Sequence, residues 1–380
     1  MGSPIEICTV SSRRDLKTFV RFPWRIYKND PLWVPPLISD RLKYLDPAKG
    51  PYYGQADITL LMASRGGEVL GTIAAFVDRN RVQHLGKREG GFGFFEVVSE
   101  YEVAARLLDA CRAWLRERGM TAVLGPTNFG EFDCPGVLIA GAQLAPAMLE
   151  AHTAPWYKDF LDRYGMVKDH DMYAWRATFD RVGTELASVP SDLLKVAEAA
   201  RRTGKIVIRS VRIKEDWPRE VSIIRELFNI TLSFLPDAMP MGEAEFRRLA
   251  DDMRPLLDPD LALIAEVEGK PVGFCVVIPD SNRVLLRLNG RLFPFNWLRV
   301  KRFIREIDVV SFKLMGVLKE YRQRGIDAML YVEALSKARE KGYAWLDGSL
   351  TSELNPAINL IARGRGAELY KHYRIYRMEL

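Results

Sequence analysis

Residues 307–339, IDVVSFKLMGVLKEYRQRGIDAMLYVEALSKAR, constrain this chain more than any other stretch. Val309, Val310, Phe312, Leu314 and Val317 form a short β-branched and apolar run, which reads as a strand. A basic turn follows, Lys319 to Gly325. Met329, Leu330, Val332, Leu335 and Ala338 then recur at helical spacing. Gly342 stops the helix after Arg339 and Lys341, cations that suit a helix C-terminus. A strand that enters a helix through a basic, Gly-containing turn makes an anion site, because unpaired N–H groups and Arg side chains face one place. It is not a Walker loop, since no Gly-Lys-Ser/Thr follows. Taken alone, the pattern also fits, less well, an ordinary strand–turn–helix with a solvated basic turn.

The order of elements repeats along the chain. Ile5 to Val10, a helix from Ser12 through Tyr27, a hairpin of Ile58 to Ala63 with Val69 to Val77, a strand from Gly91 to Val98, a helix from Tyr101 to Gly119, a strand at Val123, a helix from Pro155 to Tyr164 and a strand from Tyr173 to Phe179 give β-α-β-β-β-α-β-α-β. Past a crossover with a helical patch at Leu193 to Ala200 the same order returns. Its members are Ile206 to Val211, Val221 to Phe228, Leu261 to Val267 with Val272 to Ile278, the 307–339 unit, Ala344 to Leu350, Pro356 to Arg363 and Tyr373 to Met378. The expected fold is therefore α+β, in two tandem domains with mixed, mostly antiparallel sheets flanked by helices. The expected boundaries are 1–180, a linker and helix at 181–204, and 205–380. A length of 380 residues suits two domains.

Bulk properties narrow the functional class. The chain is 48% hydrophobic and 27% charged, with ample material for cores and no apolar run long enough to span a bilayer. Met1 to Val10 lacks a basic segment followed by an apolar core, so no secretion signal is expected. Cys8, Cys111, Cys134 and Cys275 show no CxxC spacing, which argues against zinc or a disulfide framework and suits a reducing cytoplasm. No metal is expected. The net charge of +6 favours anionic ligands or surfaces without demanding nucleic acid.

Leu314-Met315-Gly316-Val317-Leu318 followed by Glu320-Tyr321-Arg322-Gln323-Arg324-Gly325-Ile326-Asp327-Ala328 resembles the acyl-CoA-binding motif of GNAT-type N-acyltransferases. Arg322 and Gly325 fit its (Q/R)-x-x-G-x-(G/A) pattern. Asp327 departs from it, standing where Gly or Ala is usual, with Ala328 next door. Further segments resemble bacterial tandem-GNAT proteins: Asn29 to Leu37, Gly91 to Glu96, Asn289 to Phe295 and Tyr370 to Tyr376. Some proteins of that tandem type are associated with bacterial sphingolipid synthesis, as ceramide synthase-type acyltransferases. The first half carries Val98-Ser99-Glu100-Tyr101-Glu102 in place of the basic turn, so it is expected to be a degenerate copy that has lost CoA binding and lends one wall of the acceptor pocket.

The resemblance implies acetyl-CoA or a longer acyl-CoA as co-substrate and a small-molecule or lipid amine as acceptor. Met315, Gly316, Val317, Arg322, Gln323, Arg324, Gly325, Ile326, Asp327, Ala328 and Asn355 are then the expected CoA-binding residues. A strand bulge in this superfamily frees an N–H for the thioester carbonyl, which points to Met315, Gly316 and Val317. The thiolate's usual acid is a Tyr four residues before a Gly-Phe pair. Matching Gly366-Ala367 to that pair puts Ala362 there, leaving Tyr370 or Tyr373 as substitutes, or plain strand aromatics. Glu306, Asp308, Asp347, Glu353 and His152 are candidate bases, though each carboxylate more readily reads as a solvated surface group and His152 as an ordinary loop histidine.

Residues 291–305, RLFPFNWLRVKRFIR, interleave aromatic and basic side chains as an insertion between the expected third and fourth strands. The segment suits an anionic membrane surface, or else a helix packed on the core with a basic outer face. The whole reads as a cytoplasmic acyltransferase, with a place at the inner membrane surface if the first alternative holds. A non-catalytic acyl-CoA or lipid-binding protein and an aminoacyl-tRNA-dependent transferase are the alternatives.

Overall fold

The computed structural model describes residues 3–130, 133–179, 191–235, 238–364 and 367–380. Residues 181–190 of the expected linker, and Gly366 of the expected final turn, lie outside the described residues. The chain forms two compact units: Met1–Tyr173 with Val284–Val300 and Lys371–Leu380, and Ala174–Arg283 with Lys301–Tyr370. This division differs from a simple cut at 180 and 205. Reading along the chain assigns the last ten residues to the second half, but those residues hydrogen-bond to strands of the first.

The first unit contains β1 (Glu6–Thr9), α1 (Arg13–Arg21), α2 (Pro23–Ile26), α3 (Ile38–Tyr44), β2 (Ala56–Arg65), β3 (Glu68–Asp78), α4 (Arg79–Leu85), β4 (Glu89–Val97), α5 (Tyr101–Glu117), β5 (Ala122–Gly125), β6 (Val137–Ala140) and α6 (Tyr157–Tyr164). From there β7 (Val167–Thr178) runs into the second unit. That unit contains α7 (Ser191–Arg202), β8 (Ile206–Ser210), α8 (Trp217–Leu232), α9 (Glu243–Met253), β9 (Ala262–Val267) and β10 (Lys270–Pro279). After it come α10 (Asn282–Leu288), α11 (Trp297–Arg305), β11 (Val309–Val317), α12 (Ile326–Glu340), β12 (Trp345–Ser352), α13 (Pro356–Gly364) and β13 (Glu368–Glu379).

Local chemistry accounts for several boundaries. Ser12 starts α1 with a reciprocal capping box, its Oγ accepting from the Asp15 N–H at 3.1 Å while Asp15 accepts from the Ser12 N–H at 3.0 Å. Pro23 lacks an N–H, and the single helix expected through Tyr27 is broken there into α1 and α2. Helices α4, α9 and α10 and strand β6 escaped the sequence reading. They are short, or they lie in mixed polar stretches without a clear period.

In the first unit the strand order is β1-β2-β3-β4-β5-β13, with β6 also on β13. All pairs are antiparallel except β4 with β5. The period of two is legible in β2 and β3. Leu61, Ala63, Ile73 and Ala75 join the cluster with Leu107, Cys111 and Leu115 of α5, and Leu60, Met62, Ala74 and Phe76 join that with Leu16, Phe19 and Val20 of α1. In the second unit the order is β12-β11-β10-β9-β8, with β11 and β12 parallel and the others antiparallel. Helix α8 crosses β11 at Gly316, where a Cβ would overlap Thr231.

Candidate active site

The second unit opens a fork between two parallel strands. Val309–Ser311 of β11 pair with Trp345–Asp347 of β12, the three residues over which the two strands run together. On its other edge β11 pairs with β10, and the register slips between Val276 and Val277, so Lys313 is the extra, bulged residue. The irregularity thus falls at Lys313. Met315, Gly316 and Val317, where sequence reasoning expected it, pair regularly with Cys275, Phe274 and Gly273 and carry the strand toward the basic turn.

A buried polar network fills the root of the fork. Lys313 Nζ donates to Asp347 Oδ2 at 3.2 Å, to Ser349 Oγ at 2.9 Å and to the Ser349 carbonyl at 3.3 Å. Asp347 also accepts from Ser311 Oγ at 2.9 Å, Ser349 Oγ at 2.7 Å and the Tyr370 hydroxyl at 3.0 Å. Ser311, Asp347, Ser349 and Tyr370 are all buried. A buried ion pair is tolerated when its remaining lone pairs and protons are satisfied, and here the ammonium uses all three of its protons. Nearby, burial raises Asp280 to about 6, with Arg283 pulling the other way from 3.5 Å. Tyr370, one of the two tyrosines singled out in the sequence, is held here by the hydrogen bond from its hydroxyl to Asp347.

The basic turn has the shape of an anion site. After β11, a short 3₁₀ turn at Lys319–Tyr321 leads through Arg322, Gln323 and Arg324 to Gly325, which caps α12. The first helical bond runs from the Met329 N–H to the Gly325 carbonyl, and no side chain caps the helix. The N–H groups of Ile326, Asp327 and Ala328 therefore have no partner within the helix. Gly325 has φ +76°, and a Cβ there would crowd Ala200 and Val196 of α7, so two independent constraints demand glycine. Arg322, Gln323 and Arg324 are exposed. Arg322 Nε donates to the Val317 carbonyl at 3.1 Å, and its guanidinium lies 5.6 Å from the Phe234 ring. Ile326 and Ala328 are buried while Asp327 is exposed, so the small residue packs inward and the acid stays in solvent.

The other sequence candidates are scattered. Asn355 precedes α13, and its carbonyl accepts from Asn359 Nδ2 at 3.2 Å. Asn359 Oδ1 in turn accepts from Thr351 Oγ1 at 2.7 Å and Trp175 Nε1 at 3.2 Å, pinning α13 to the end of β12. Glu353 is half-buried in the turn after β12. Glu306 is exposed and paired with Arg302 at 2.8 Å, and Asp308 is exposed. His152 belongs to the first unit, with Nε2 2.7 Å from Asp30 Oδ2. Burial pushes this imidazole below its ordinary value, against the pull of Asp30.

Sequence reasoning missed Lys313, Ser311, Ser349 and Asp280. Two signals were available: a lysine inside the apolar run VVSFKLMGV, and Asp347 amid the apolar start of β12. In the first unit it missed Glu96, whose Oε2 accepts from the hydroxyls of Tyr157 at 2.7 Å and Tyr27 at 3.0 Å. Among the described residues no group of three or more His, Cys, Asp or Glu could hold a metal ion.

Comparison with known proteins places this geometry. The Acetyltransferase (GNAT) family profile matches residues 224–367, the stretch that holds the fork and the basic turn. The chain is 32% identical to Protein YghO of Escherichia coli (strain K12) over 379 residues, covering 98% of this chain and 95% of that protein. It is 29% identical to a bacterial ceramide synthase of Caulobacter vibrioides (strain NA1000 / CB15N) over 389 residues, covering 100% and 98%. A tandem GNAT protein from the clavulanic acid biosynthesis pathway superposes with TM-score 0.58 at 13% identity, over 99% of this chain and 98% of that one.

Proposed function

The chain belongs to the GNAT superfamily and is an acyltransferase, and we propose that it moves a long acyl group from CoA to the amine of a lipid met at the inner surface of a membrane. The observation that carries this reading is that β11, after parting from β12, runs on into a turn with exposed arginines, followed by a helix whose first N–H groups have no partner within it. Full-length likeness to a ceramide synthase supports the lipid acceptor.

In this reading Arg322, Gln323, Arg324 and the N–H groups of Ile326, Asp327 and Ala328 hold the pyrophosphate. Met315, Gly316 and Val317 line the pantetheine arm, with Asn355 at its far side. The acceptor nitrogen attacks the thioester carbonyl, the C–N bond forms, the C–S bond breaks, the nitrogen gives up its surplus proton to water, and the thiolate takes one proton in its place. Tyr370, oriented by Asp347 and through it by Lys313 and Ser349, is the acid assigned to that thiolate. Among the described residues no helix is long and apolar enough to cross a membrane.

The test is release of free thiol from acyl-CoAs of increasing chain length, with a long-chain amino alcohol as acceptor. Turnover that rises with chain length, with the amide as product, is expected. Turnover confined to acetyl-CoA with short polar amines would replace the lipid acceptor. Binding of acyl-CoA with no thiol released under any acceptor would sink the proposal.

A further inference from the structure

Residues 291–300 expose more apolar surface than the fold can account for. Phe293 is 71% exposed, Phe295 72%, Trp297 51% and Leu298 61%, four large apolar side chains within six positions. Isolated exposed apolar residues are ordinary, but a contiguous group of aromatics marks an interaction site. The segment is not a misplaced core helix. Further along α11, Phe303 is buried and Val300 and Ile304 partly so, the spacing of an inward stripe, so the helix already has its packed face. The exposed aromatics lie outside that stripe, at the start of the helix and just before it.

The exposed charges beside them share one sign. Arg291, Arg299, Lys301, Arg302 and Arg305 are all exposed, with only Glu306, bound to Arg302, as a counter-charge in this segment. The backbone also holds the tip in shape. The Trp297 N–H donates to the Leu292 carbonyl at 2.9 Å, Trp297 Nε1 to the Pro294 carbonyl at 3.1 Å and Asn296 Nδ2 to the Arg291 carbonyl at 2.8 Å. These bonds close the loop that carries the aromatics.

We propose that residues 291–305 are the docking element by which this protein binds an anionic lipid surface, with Phe293, Phe295, Trp297 and Leu298 entering the acyl boundary and the flanking Arg and Lys side chains meeting phosphate headgroups. Apolar insertion alone would not select lipids by charge, and basic residues alone would not need exposed phenylalanines. The two together match a bilayer interface of negative charge. The proposal rests on the lipid-acceptor reading only for the reason such a surface would be visited; the surface itself is independent of the chemistry.

The full-length protein is sedimented with vesicles of phosphatidylcholine alone, and of phosphatidylcholine with a third phosphatidylglycerol, without CoA or amine. Binding to the anionic vesicles at least tenfold tighter than to the neutral ones is expected, falling steeply with salt. The triple variant Phe293→Ser, Phe295→Ser, Trp297→Ser should lose at least tenfold of that binding. So should Arg291→Glu, Lys301→Glu, Arg305→Glu. Val207→Ser, another exposed apolar site, should bind as the parent does. All these positions are exposed, and unchanged melting curves confirm folding. Equal binding to both vesicle types, or full binding by either triple variant, overturns the proposal. So does concentration-dependent dimerisation that the aromatic variant abolishes without any vesicle binding, which would assign the patch to a second copy of this chain. Thiol release in detergent with a soluble amine is scored separately, so failure of the lipid surface and failure of the transferase reading are told apart.

Discussion

Strands β4 and β11 hold the same place in their own units, and the difference between them shows how one plan yields a filled site and an open one. Each pairs in parallel with its neighbour for three residues, Glu89–Gly91 with Ala122–Leu124 and Val309–Ser311 with Trp345–Asp347, and each then slips register against its hairpin partner. Counting back from the last pairs, Gly71 with Val97 and Gly273 with Val317, Gly93 matches Lys313 and Glu96 matches Gly316. In the first unit the chain closes on the fork. A Cβ at Gly93 would overlap the Thr127 carbonyl, and Asn128 Oδ1 takes the Phe94 N–H at 2.7 Å. In the second unit a lysine and an aspartate hold the root of the fork, and the strand runs on to a basic turn. After β4 the turn carries Glu100, tied to Arg65, where a phosphate would be repelled. The first unit's fork is thus closed by its own chain, and the turn after it carries an acid where the second unit's carries arginines.

The largest effect expected from breaking this contrast is at Asp347. Asp347→Ala leaves the Lys313 ammonium buried without its counter-charge and should destabilise the protein by about 3–5 kcal/mol in denaturant melts. Adding Lys313→Met to it should recover most of that loss. A single variant as stable as the parent would mean that Lys313 escapes to solvent and the fork has no built polar root. Next is Gly93→Ala, which forces a methyl onto the Thr127 backbone and should lose roughly 2–3 kcal/mol, because a backbone carbonyl yields less readily than a side chain. A neutral result would mean that the first fork can open and that its closure is not a fixed feature.

Arg322→Glu tests the turn rather than the strand. It reverses an exposed charge, so stability should stay within about 0.5 kcal/mol. Acyl-CoA binding by calorimetry should weaken about tenfold or more, near 1.4 kcal/mol. The converse change, Glu100→Arg, should confer no CoA binding, because Asn128 still occupies the strand. If it did, the charge of the turn alone would separate the two units.

The fold was legible from the sequence because its signals are local and periodic. The hairpins at Arg65–Glu68 and Val267–Lys270, the α5 stripe and the strand–turn–helix of 307–339 all showed in residue spacing and came out within a few residues. The site was legible only where it is backbone: Gly325 and its arginines announced the turn. The side-chain network did not show, because Lys313 and Asp347 are 34 residues apart, and Asp347 and Tyr370 are 23 apart on strands that are not neighbours in the sheet. Nothing within one window marks a bulge. It arises when β10 and β11 pair over unequal lengths, which placed it at Lys313 instead of Met315 to Val317. The carboxylates most visible in sequence, Glu306 and Asp308, proved the most exposed, because the ends of an element are where charge is easily solvated.

The smallest expected effect concerns Glu96, at the position that Gly316 takes in the second unit. Burial raises this carboxyl to about 7, against the hydrogen bonds from Tyr157 and Tyr27, which favour the charged form. Its ordinary value is 4.5, so the folded state holds the proton more tightly than the unfolded chain does. The stability this gives is complete below about pH 4.5 and is lost as pH rises through 7. Glu96→Gln keeps an acceptor for both tyrosine hydroxyls but cannot ionise. Its stability relative to the parent should therefore rise by about 1–2 kcal/mol between pH 5 and pH 8, less than the full shift would give because the residue is partly exposed. Denaturant midpoints of both proteins at the two pH values cancel every other titrating group, Asp280 included. Parallel pH dependences would show that Glu96 is already ionised in the folded protein. The first unit would then hold a charged carboxylate at the strand position where the second unit has glycine, and its closure would owe more to electrostatic repulsion than to packing.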